Sequence, residues 1–326
     1  MNPFTTHKEK SVASLGECQI IQEIRNWLGN TNPPSPMGIG DDCALLEVSY
    51  GTKQVITVDP VIYGVHFDDS VSPEDVGAKL LNRNASDVAA MGCSPTSAIL
   101  SLTLPSETRI DWLQRFYQGL SQSALVLEMQ IIGGDLASAP DQHLAATLCM
   151  LGSLPTGASP LLRKGADVDD VLFVTGELGG SIHQKHYRFT PRVKEGLWLA
   201  KNGYTSSCLD VSDGIGKDAP QLLKSSQQAI EIDALTLPLS QDAVKSSKTS
   251  SKSPQYHALN DGEDFELLFT VPKERAQDFI KKWAAEIDTP LTCIGKVITR
   301  ADLKSPSLHI INAPNDALPH GYEHLR

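Results

Sequence analysis

Asn84-Ala85-Ser86-Asp87-Val88-Ala89-Ala90-Met91-Gly92 ends a segment of the chain that carries strong helix signals. The segment begins at Ser72, a favourable N-cap, and continues with Pro73, which suits the first helical position. Asn84 and Asp87 are three residues apart and therefore share one face of the predicted helix. The sequence predicts a helix that begins after Ser72, ends before Gly92 and carries these two polar side chains.

Helix and strand patterns alternate on both sides of this helix. An amphipathic pattern from Ile20 to Leu28 predicts a helix that stops at Gly29. β-Branched Val55-Ile56-Thr57-Val58 predicts a strand that ends at Asp59-Pro60. Further predictions are strands over 98–104, 144–151 and 171–174, a helix over 111–129, a strand that ends at Gly133-Gly134-Asp135 and, over 245–253, a mobile surface loop.

The length of 326 residues suggests two domains, since domains of roughly 150 residues are common. The cluster Pro155-Thr156-Gly157-Ala158-Ser159-Pro160 reads as a linker between them. We therefore expect an α+β fold with an N-terminal domain over 1–155 and a C-terminal domain over 156–326.

The composition excludes several classes of protein. The chain has 28 basic and 39 acidic residues, a formal charge of −11, which disfavours binding to nucleic acid or to an anionic membrane surface. Its six cysteines form no C-x-x-C pair, so neither a zinc site nor a disulfide framework is indicated. No run of 18 apolar residues occurs. We expect a protein of the reducing cytoplasm.

Acidic residues recur beside glycines or at predicted strand ends. They are Asp41, Asp42, Asp59, Asp135, Asp210, Asp213, Glu263 and Asp264. Taken singly, each is typical of a turn or a cap. Taken together, they predict a shared site: two carboxylates about 4 Å apart repel by roughly 4 kcal/mol at an effective dielectric of about 20. A cation must lie between them, and the motifs themselves contain no Lys or Arg.

Hard oxygen ligands of this kind favour Mg²⁺. Bound metal would make the local electrostatic potential positive. An acidic protein could then bind a polyphosphate, as phosphoryl-transfer enzymes do. The sequence contains neither a P-loop nor the protein-kinase motifs.

Seven segments, in this order, resemble the thiamine-monophosphate kinase family of the aminoimidazole ribonucleotide synthetase superfamily. They are Gly16-Glu17, Gly40 to Leu45, Asp59 with Gly64-Val65-His66-Phe67, Asn84 to Gly92, Gly133-Gly134-Asp135, Asp210-Val211-Ser212-Asp213-Gly214 and Gly262 to Leu267. The resemblance covers nearly the whole chain. It implies an N-terminal aminoimidazole ribonucleotide synthetase-like mixed-sheet domain that dimerises, a C-terminal α/β/α layered domain, and transfer of the γ-phosphoryl group of ATP to thiamine phosphate.

The resemblance also implies roles for individual residues. The Mg²⁺ ligands are then Asp42, Thr57, Asp59, Asp87, Asp135, Asp210 and Asp213. Gly134, Asp135, Arg163 and Ser212 are then ATP contacts, and His66, Glu263 and Tyr322 form the thiamine phosphate pocket. The acceptor is a phosphate oxygen that is already ionised, so no general base is expected. We interpret His183, His186, His320 and His324 as loop residues.

Two other functions stay open at this point. One is another ATP-using member of the superfamily, such as aminoimidazole ribonucleotide synthetase, and the other is a non-enzymatic nucleotide or Mg²⁺ sensor. The chain also departs from the family pattern: Asn260-Asp261 replaces a glycine-rich pair, Val58-Asp59-Pro60 replaces a Thr-rich version, and the segment 176–188 is short. These departures concern recognition of the acceptor more than of the metal or nucleotide.

Overall fold

The structure is a computed structural model that describes residues 1–15, 17–34, 37, 39, 53–140, 143–300, 307–317 and 319. The chain divides into two compact units. The first comprises Met1–Val88, Ser94–Leu154 and Tyr187–Thr190, and the second comprises Ala89–Cys93, Pro155–His186 and Pro191–Arg326. No described helix is both long enough and apolar enough to span a membrane.

The first unit is built on a four-stranded mixed sheet. Its main elements are α1 (Glu17–Leu28), β1 (Gln54–Ile62), α2 (Pro73–Ala90), β2 (Ser94–Leu104), α3 (Ile110–Val126), β3 (Gln130–Ser138) and β4 (Ala145–Ser153). The strand order is β1-β4-β2-β3, with β2 and β3 parallel and the other pairs antiparallel. Buried side chains line one face, among them Leu100, Leu148 and Met150.

The helix predictions for this unit are confirmed. Gly29, with φ +52°, follows α1, as predicted for a left-handed cap. The Ser72 hydroxyl accepts a hydrogen bond from the Asp75 N–H at 3.2 Å and so caps the first turn of α2.

The predicted end of the first strand is wrong. β1 continues through Asp59 and Pro60 to Ile62, and Pro60 lies opposite Thr147 of β4. Among the described strands, β1 lies at the edge of its sheet, the position at which a proline is tolerated because its missing N–H breaks no pairing within the described sheet.

The predicted strand end at Gly133-Gly134-Asp135 is also wrong, because β3 continues to Ser138. A Cβ on Gly134 would lie 2.1 Å from the backbone oxygen of Leu100. This glycine therefore permits close approach of β3 to β2, and Asp135 lies within the strand.

The second unit contains a six-stranded mixed sheet in the order β10-β7-β9-β5-β8-β6. Its strands are β5 (Val171–Thr175), β6 (Ser207–Asp210), β7 (Gln228–Asp233), β8 (Leu267–Val271), β9 (Leu291–Thr299) and β10 (Leu308–Ile311). Its helices are α4 (Val193–Asn202), α5 (Ile215–Asp218), α6 (Gln241–Ser250), α7 (Pro254–Asn260) and α8 (Ala276–Glu286). The expectation of a chain that combines helices with mixed sheets is therefore confirmed, and the structure shows one mixed sheet in each unit.

Apolar side chains cover both faces of the second sheet. Leu172 belongs to one cluster with Ile215 of α5, whereas the next residue, Phe173, belongs to another with Phe279 of α8. Successive strand residues point to opposite faces, so this alternation places helices on both sides.

The mobile loop predicted over 245–253 is wrong. Most of this stretch is the second half of α6 and the N-cap of α7. The Ser240 hydroxyl accepts from the Ala243 N–H at 2.9 Å, and the Ser253 hydroxyl accepts from the Tyr256 N–H at 3.2 Å. Serine caps and burial of Ser246 outweigh the polar composition of this stretch.

We expect the close contact between α2 and α3 to depend on glycine. A Cβ on Gly119 would lie 2.0 Å from the backbone oxygen of Glu74. Gly119→Ala should therefore lower the free energy of unfolding by about 3 kcal/mol, measured by chemical denaturation. Gly133→Ala is the control, since its nearest new contact is a side-chain methyl of Ile99 at 3.3 Å. An equal loss of unfolding free energy in the two variants would show that the contact between α2 and α3 does not depend on Gly119.

Candidate active site

Three of the predicted metal ligands lie near one another in the first unit. The Thr57 hydroxyl, on β1, donates to Asp87 Oδ2 of α2 at 2.6 Å. Asp59 is two residues after Thr57 on the same strand and so faces the same side. Arg83 of α2 donates from Nε to Asp59 Oδ2 at 3.0 Å and from Nη1 to the Pro60 carbonyl at 2.8 Å. The first unit thus brings together the oxygen-bearing side chains of Thr57, Asp59 and Asp87.

Asp135 is not brought to this group. It pairs with Ser101 of β2, which pairs with Thr147 of β4, which pairs with Pro60 of β1. Three strand spacings separate β3 from β1, about 14 Å along the sheet. The side chain of Asp135 is exposed, and Gly134 beside it is exposed as well.

In the second unit, the Asp210–Gly214 loop leaves the end of β6. Asp210 is buried, while Ser212 and Asp213 are half-buried. Lys217 Nζ lies 2.6 Å from Asp213 Oδ2. Gly214, at φ +95°, adopts a conformation that favours glycine and allows the chain to turn into α5.

Backbone hydrogen bonds join this loop to the Gly262–Glu266 segment. The Glu263 N–H donates to the Ser212 carbonyl at 2.7 Å, and the Phe265 N–H donates to the Val211 carbonyl at 2.9 Å. Glu263 and Phe265 have φ of +50° and +52°, an unfavourable conformation for non-glycine residues. These hydrogen bonds stabilise the strained backbone. They also hold Ser212, a predicted ATP contact, next to Glu263, a predicted acceptor contact.

Three basic or ionisable partners of these acids were missed from the sequence. Arg83 and Lys217 are ion-paired with Asp59 and Asp213, so side chains next to the motifs supply part of the positive charge that was expected only from metal. The spacing of Lys217, four residues after Asp213, was a usable signal. His186 is in a turn, as predicted, but its Nδ1 lies 3.5 Å from Glu263 Oε2.

The remaining predicted contacts among the described residues, Arg163 and His66, are hydrogen-bonded to neighbouring residues. Arg163 is exposed, and its Nη1 donates to Gln221 Oε1 at 3.0 Å. The half-buried His66 accepts the Ile62 N–H at its Nδ1, 3.1 Å away. Asp42 and Tyr322 lie outside the described residues, as do His320 and His324.

Asp261, one of the two residues at which the chain departs from the family pattern, binds the 176–188 segment. Asp261 Oδ2 accepts the Gly180 N–H at 2.8 Å, and Asp264 Oδ1 accepts the Gly179 N–H at 2.9 Å. A Cβ on Gly179 would lie 2.6 Å from the backbone nitrogen of Ala258. Two carboxylates thus bind the short 176–188 segment, which carries His186, close against α7.

Asp264 is a buried acid with an unusual environment. Its Oδ2 has no hydrogen-bond partner among the described residues. Burial raises the pKa of Asp264 to about 7, and Glu266 and Asp261 raise it too, while the Lys185 ammonium and the Gly179 hydrogen bond lower it. The carboxyl group is therefore partly protonated near neutral pH.

The described carboxylates, histidines and cysteines form no group of three or more that could hold a metal ion. The predicted set also includes the Thr57 hydroxyl and Asp42, the latter outside the described residues. The complete ligand set therefore stays a prediction.

Comparisons with known proteins point to one family. Residues 40–154 match the family of the AIR synthase related protein, N-terminal domain. A thiamine-monophosphate kinase of Rhodopirellula baltica is 38% identical over 83% of this chain and 86% of its own length. That of Haemophilus influenzae is 31% identical over 96% of this chain and 99% of its own length. The solved structure of AaThiL complexed with AMPPCP and TMP has 30% identity and a TM-score of 0.72, and it covers 96% of this chain and 98% of that one.

We expect Asp264 to make stability depend on pH. The folded chain keeps a proton on this group between about pH 4 and pH 7, where the unfolded chain has lost it. The free energy of unfolding should therefore fall as the pH rises through this range, by up to about 1.4 kcal/mol per pH unit from this group alone.

Asp264→Asn cannot ionise and should flatten this slope, measured by chemical denaturation at pH 5, 6, 7 and 8. The control is Asp288→Asn, a change at a fully exposed side chain. Parallel pH profiles for wild type and Asp264→Asn would show that the group is ionised throughout.

Proposed function

The chain belongs to the thiamine-monophosphate kinase family, and we propose that it transfers the γ-phosphoryl group of ATP to thiamine phosphate. It is an ATP-dependent kinase whose products are ADP and thiamine diphosphate. The observation that carries this function is the hydrogen bond from the Glu263 N–H to the Ser212 carbonyl. It fixes a residue proposed to contact ATP beside one proposed to contact the acceptor.

The transfer is proposed to be direct and in-line, without a general base. The attacking atom is a phosphate oxygen that is ionised at neutral pH, so no proton needs to be removed. The chain then contributes alignment and positive charge. Arg163 binds a phosphate group as a cation that keeps its proton. Gly134, Asp135 and Ser212 complete the proposed ATP contacts.

We propose Mg²⁺ as the metal, held by Asp42, Thr57, Asp59, Asp87, Asp210 and Asp213. The described members of this set offer only oxygen donors, the chemistry that Mg²⁺ prefers, and Thr57 and Asp87 already share a hydrogen bond. When bound, the ion neutralises charge on the phosphates during transfer. Asp135 stays a separate prediction because of its distance along the sheet. A cytoplasmic location also stays a prediction.

The acceptor pocket is proposed to contain Glu263, His66 and Tyr322. The Glu263 carboxylate is half-buried, so its attraction for the cationic thiazolium ring is only partly screened by water. His186 contacts the same carboxylate and helps to orient it.

Identification of the products tests the function. Purified protein with Mg-ATP and thiamine phosphate should yield ADP and thiamine diphosphate, detected by mass spectrometry. ADP release only with a formylglycinamidine substrate would instead indicate an aminoimidazole ribonucleotide synthetase. No turnover with either substrate would favour a nucleotide or Mg²⁺ sensor.

We expect Asp213 and Lys217 variants to change the activity at limiting Mg²⁺ in opposite directions. Asp213→Asn removes a proposed ligand and should lower turnover about 100-fold or more without unfolding the chain. Lys217→Met removes the cation that competes for Asp213 and should lower the Mg²⁺ concentration required for half-maximal activity. Steady-state rates over a Mg²⁺ series measure both. Unchanged Mg²⁺ dependence in both variants would remove Asp213 from the metal site.

We further propose that the chain forms a homodimer through the sheet of the first unit. On the face opposite the buried core, Ile56 is 70% exposed, Val58 59% and Ile99 43%. The pairs Val58–Cys149 and Cys149–Ile99 make this patch continuous across three strands. A continuous apolar face of this kind is typical of an interface.

Ile56→Lys should therefore weaken the dimer, because it places a charge in the apolar contact. Val126→Lys is a matched control, since Val126 is 69% exposed at the end of α3 in the same unit. Sedimentation velocity over a concentration series measures the equilibrium. A monomeric wild type, or equal weakening by both variants, would contradict this interface.

A further inference from the structure

Asp218 is a buried carboxylate at the end of α5, only 3% exposed. One of its oxygens, Oδ2, accepts the backbone N–H groups of both Ser212 and Asp213, at 3.1 and 2.9 Å. Two successive N–H groups on one oxygen fix the peptide planes of the loop. Asp218 therefore sets the shape of the loop that carries a proposed ATP contact and a proposed metal ligand.

The other oxygen of Asp218 faces Gln221. Gln221 Nε2 donates to Asp218 Oδ1 at 3.3 Å, and Gln221 Oε1 accepts from Arg163 Nη1 at 3.0 Å. An amide can donate to a carboxylate and accept from a guanidinium at the same time, which fixes its orientation here. A chain of hydrogen bonds thus runs from the Ser212–Asp213 backbone through Asp218 and Gln221 to Arg163.

We propose that Asp218 and Gln221 are positioning residues that hold Arg163 at a fixed place relative to the Ser212–Asp213 loop. Arg163 is exposed, and an exposed arginine without a fixed partner samples many rotamers. Gln221 selects one of them. The inference rests on the proposed roles of Arg163 and of the loop, and it assigns to Gln221 the task of preorganising the nucleotide contact.

The first test removes the connection. Gln221→Met keeps the length of the side chain but has no hydrogen-bonding amide, and Gln221 is half-exposed, so the fold should survive. The KM for ATP should rise about fivefold, the factor that corresponds to one typical intramolecular hydrogen bond, while the KM for thiamine phosphate stays within about twofold. Gln277→Met, at an exposed position on α8, is the matched control.

The second test exchanges the two functional groups. In Asp218→Asn the amide of residue 218 can keep the two loop hydrogen bonds, but its NH₂ group then faces the NH₂ group of Gln221. In Gln221→Glu two carboxylates face each other across the 3.3 Å contact. Each single variant should therefore raise the KM for ATP. The double variant restores complementary donors and acceptors with the same net charge, and it should return the KM for ATP to within about twofold of wild type.

Three results would overturn the inference. One is an unchanged KM for ATP in Gln221→Met. Another is a double variant no better than the worse single variant. The third is an unchanged KM for ATP in Arg163→Met, which would also remove Arg163 from the ATP contacts. None of these results affects the proposed reaction, which fails only if the wild-type protein does not form thiamine diphosphate from thiamine phosphate.

Discussion

The backbone hydrogen bonds between the Asp210–Gly214 loop and the Gly262–Glu266 segment are the constraint on which the proposed contacts of the second unit depend. They extend the pairing of β6 with β8, in which Asp210 lies opposite Leu267, beyond the end of the regular sheet. Positive φ angles at Glu263 and Phe265 have a conformational cost, which these hydrogen bonds and the surrounding core offset. The sheet thus determines where the side chains proposed to contact ATP, metal and acceptor lie in this unit.

A buried network of charged side chains around Glu266 stabilises this arrangement. Glu266 is only 1% exposed, and it accepts hydrogen bonds from Arg192 Nε at 2.6 Å, Lys185 Nζ at 3.0 Å and the Thr175 hydroxyl at 2.8 Å. A buried carboxylate is tolerated only when it is paired and hydrogen-bonded, and here both conditions are met. Because Lys185 belongs to the short 176–188 segment, the same network holds that segment to the strand that follows Glu263. The proposed acceptor contact at Glu263 and the stability of the second unit therefore depend on the same segment of the chain.

Local signals predicted the parts of the fold that depend on short-range chemistry. The Ser72 cap, Gly29 and the strand at Val171–Thr175 are examples. The errors arose where tertiary context outweighed local preference. Pro60 continues a strand because that strand lies at the edge of the sheet that the described strands form. The stretch 245–253 is largely helical because its serines act as caps and buried contacts. Among the candidate site residues, the acidic side chains were visible from the sequence, and the spacing of Lys217 after Asp213 was a signal as well. Arg83 and Gln221 gave no such signal, since their importance depends on which atoms the fold places beside them.

Pro60 has a consequence for solubility. β1 presents β-branched side chains on one face, and it lies at the edge of the sheet that the described strands form, the position at which a foreign strand can join a sheet. A proline within that strand removes one N–H donor and interrupts any continuous ladder with an incoming chain. Pro60, which was predicted to end the strand, therefore disfavours edge-to-edge aggregation of the amyloid type. The exposed apolar face of the same strand remains available for a specific contact.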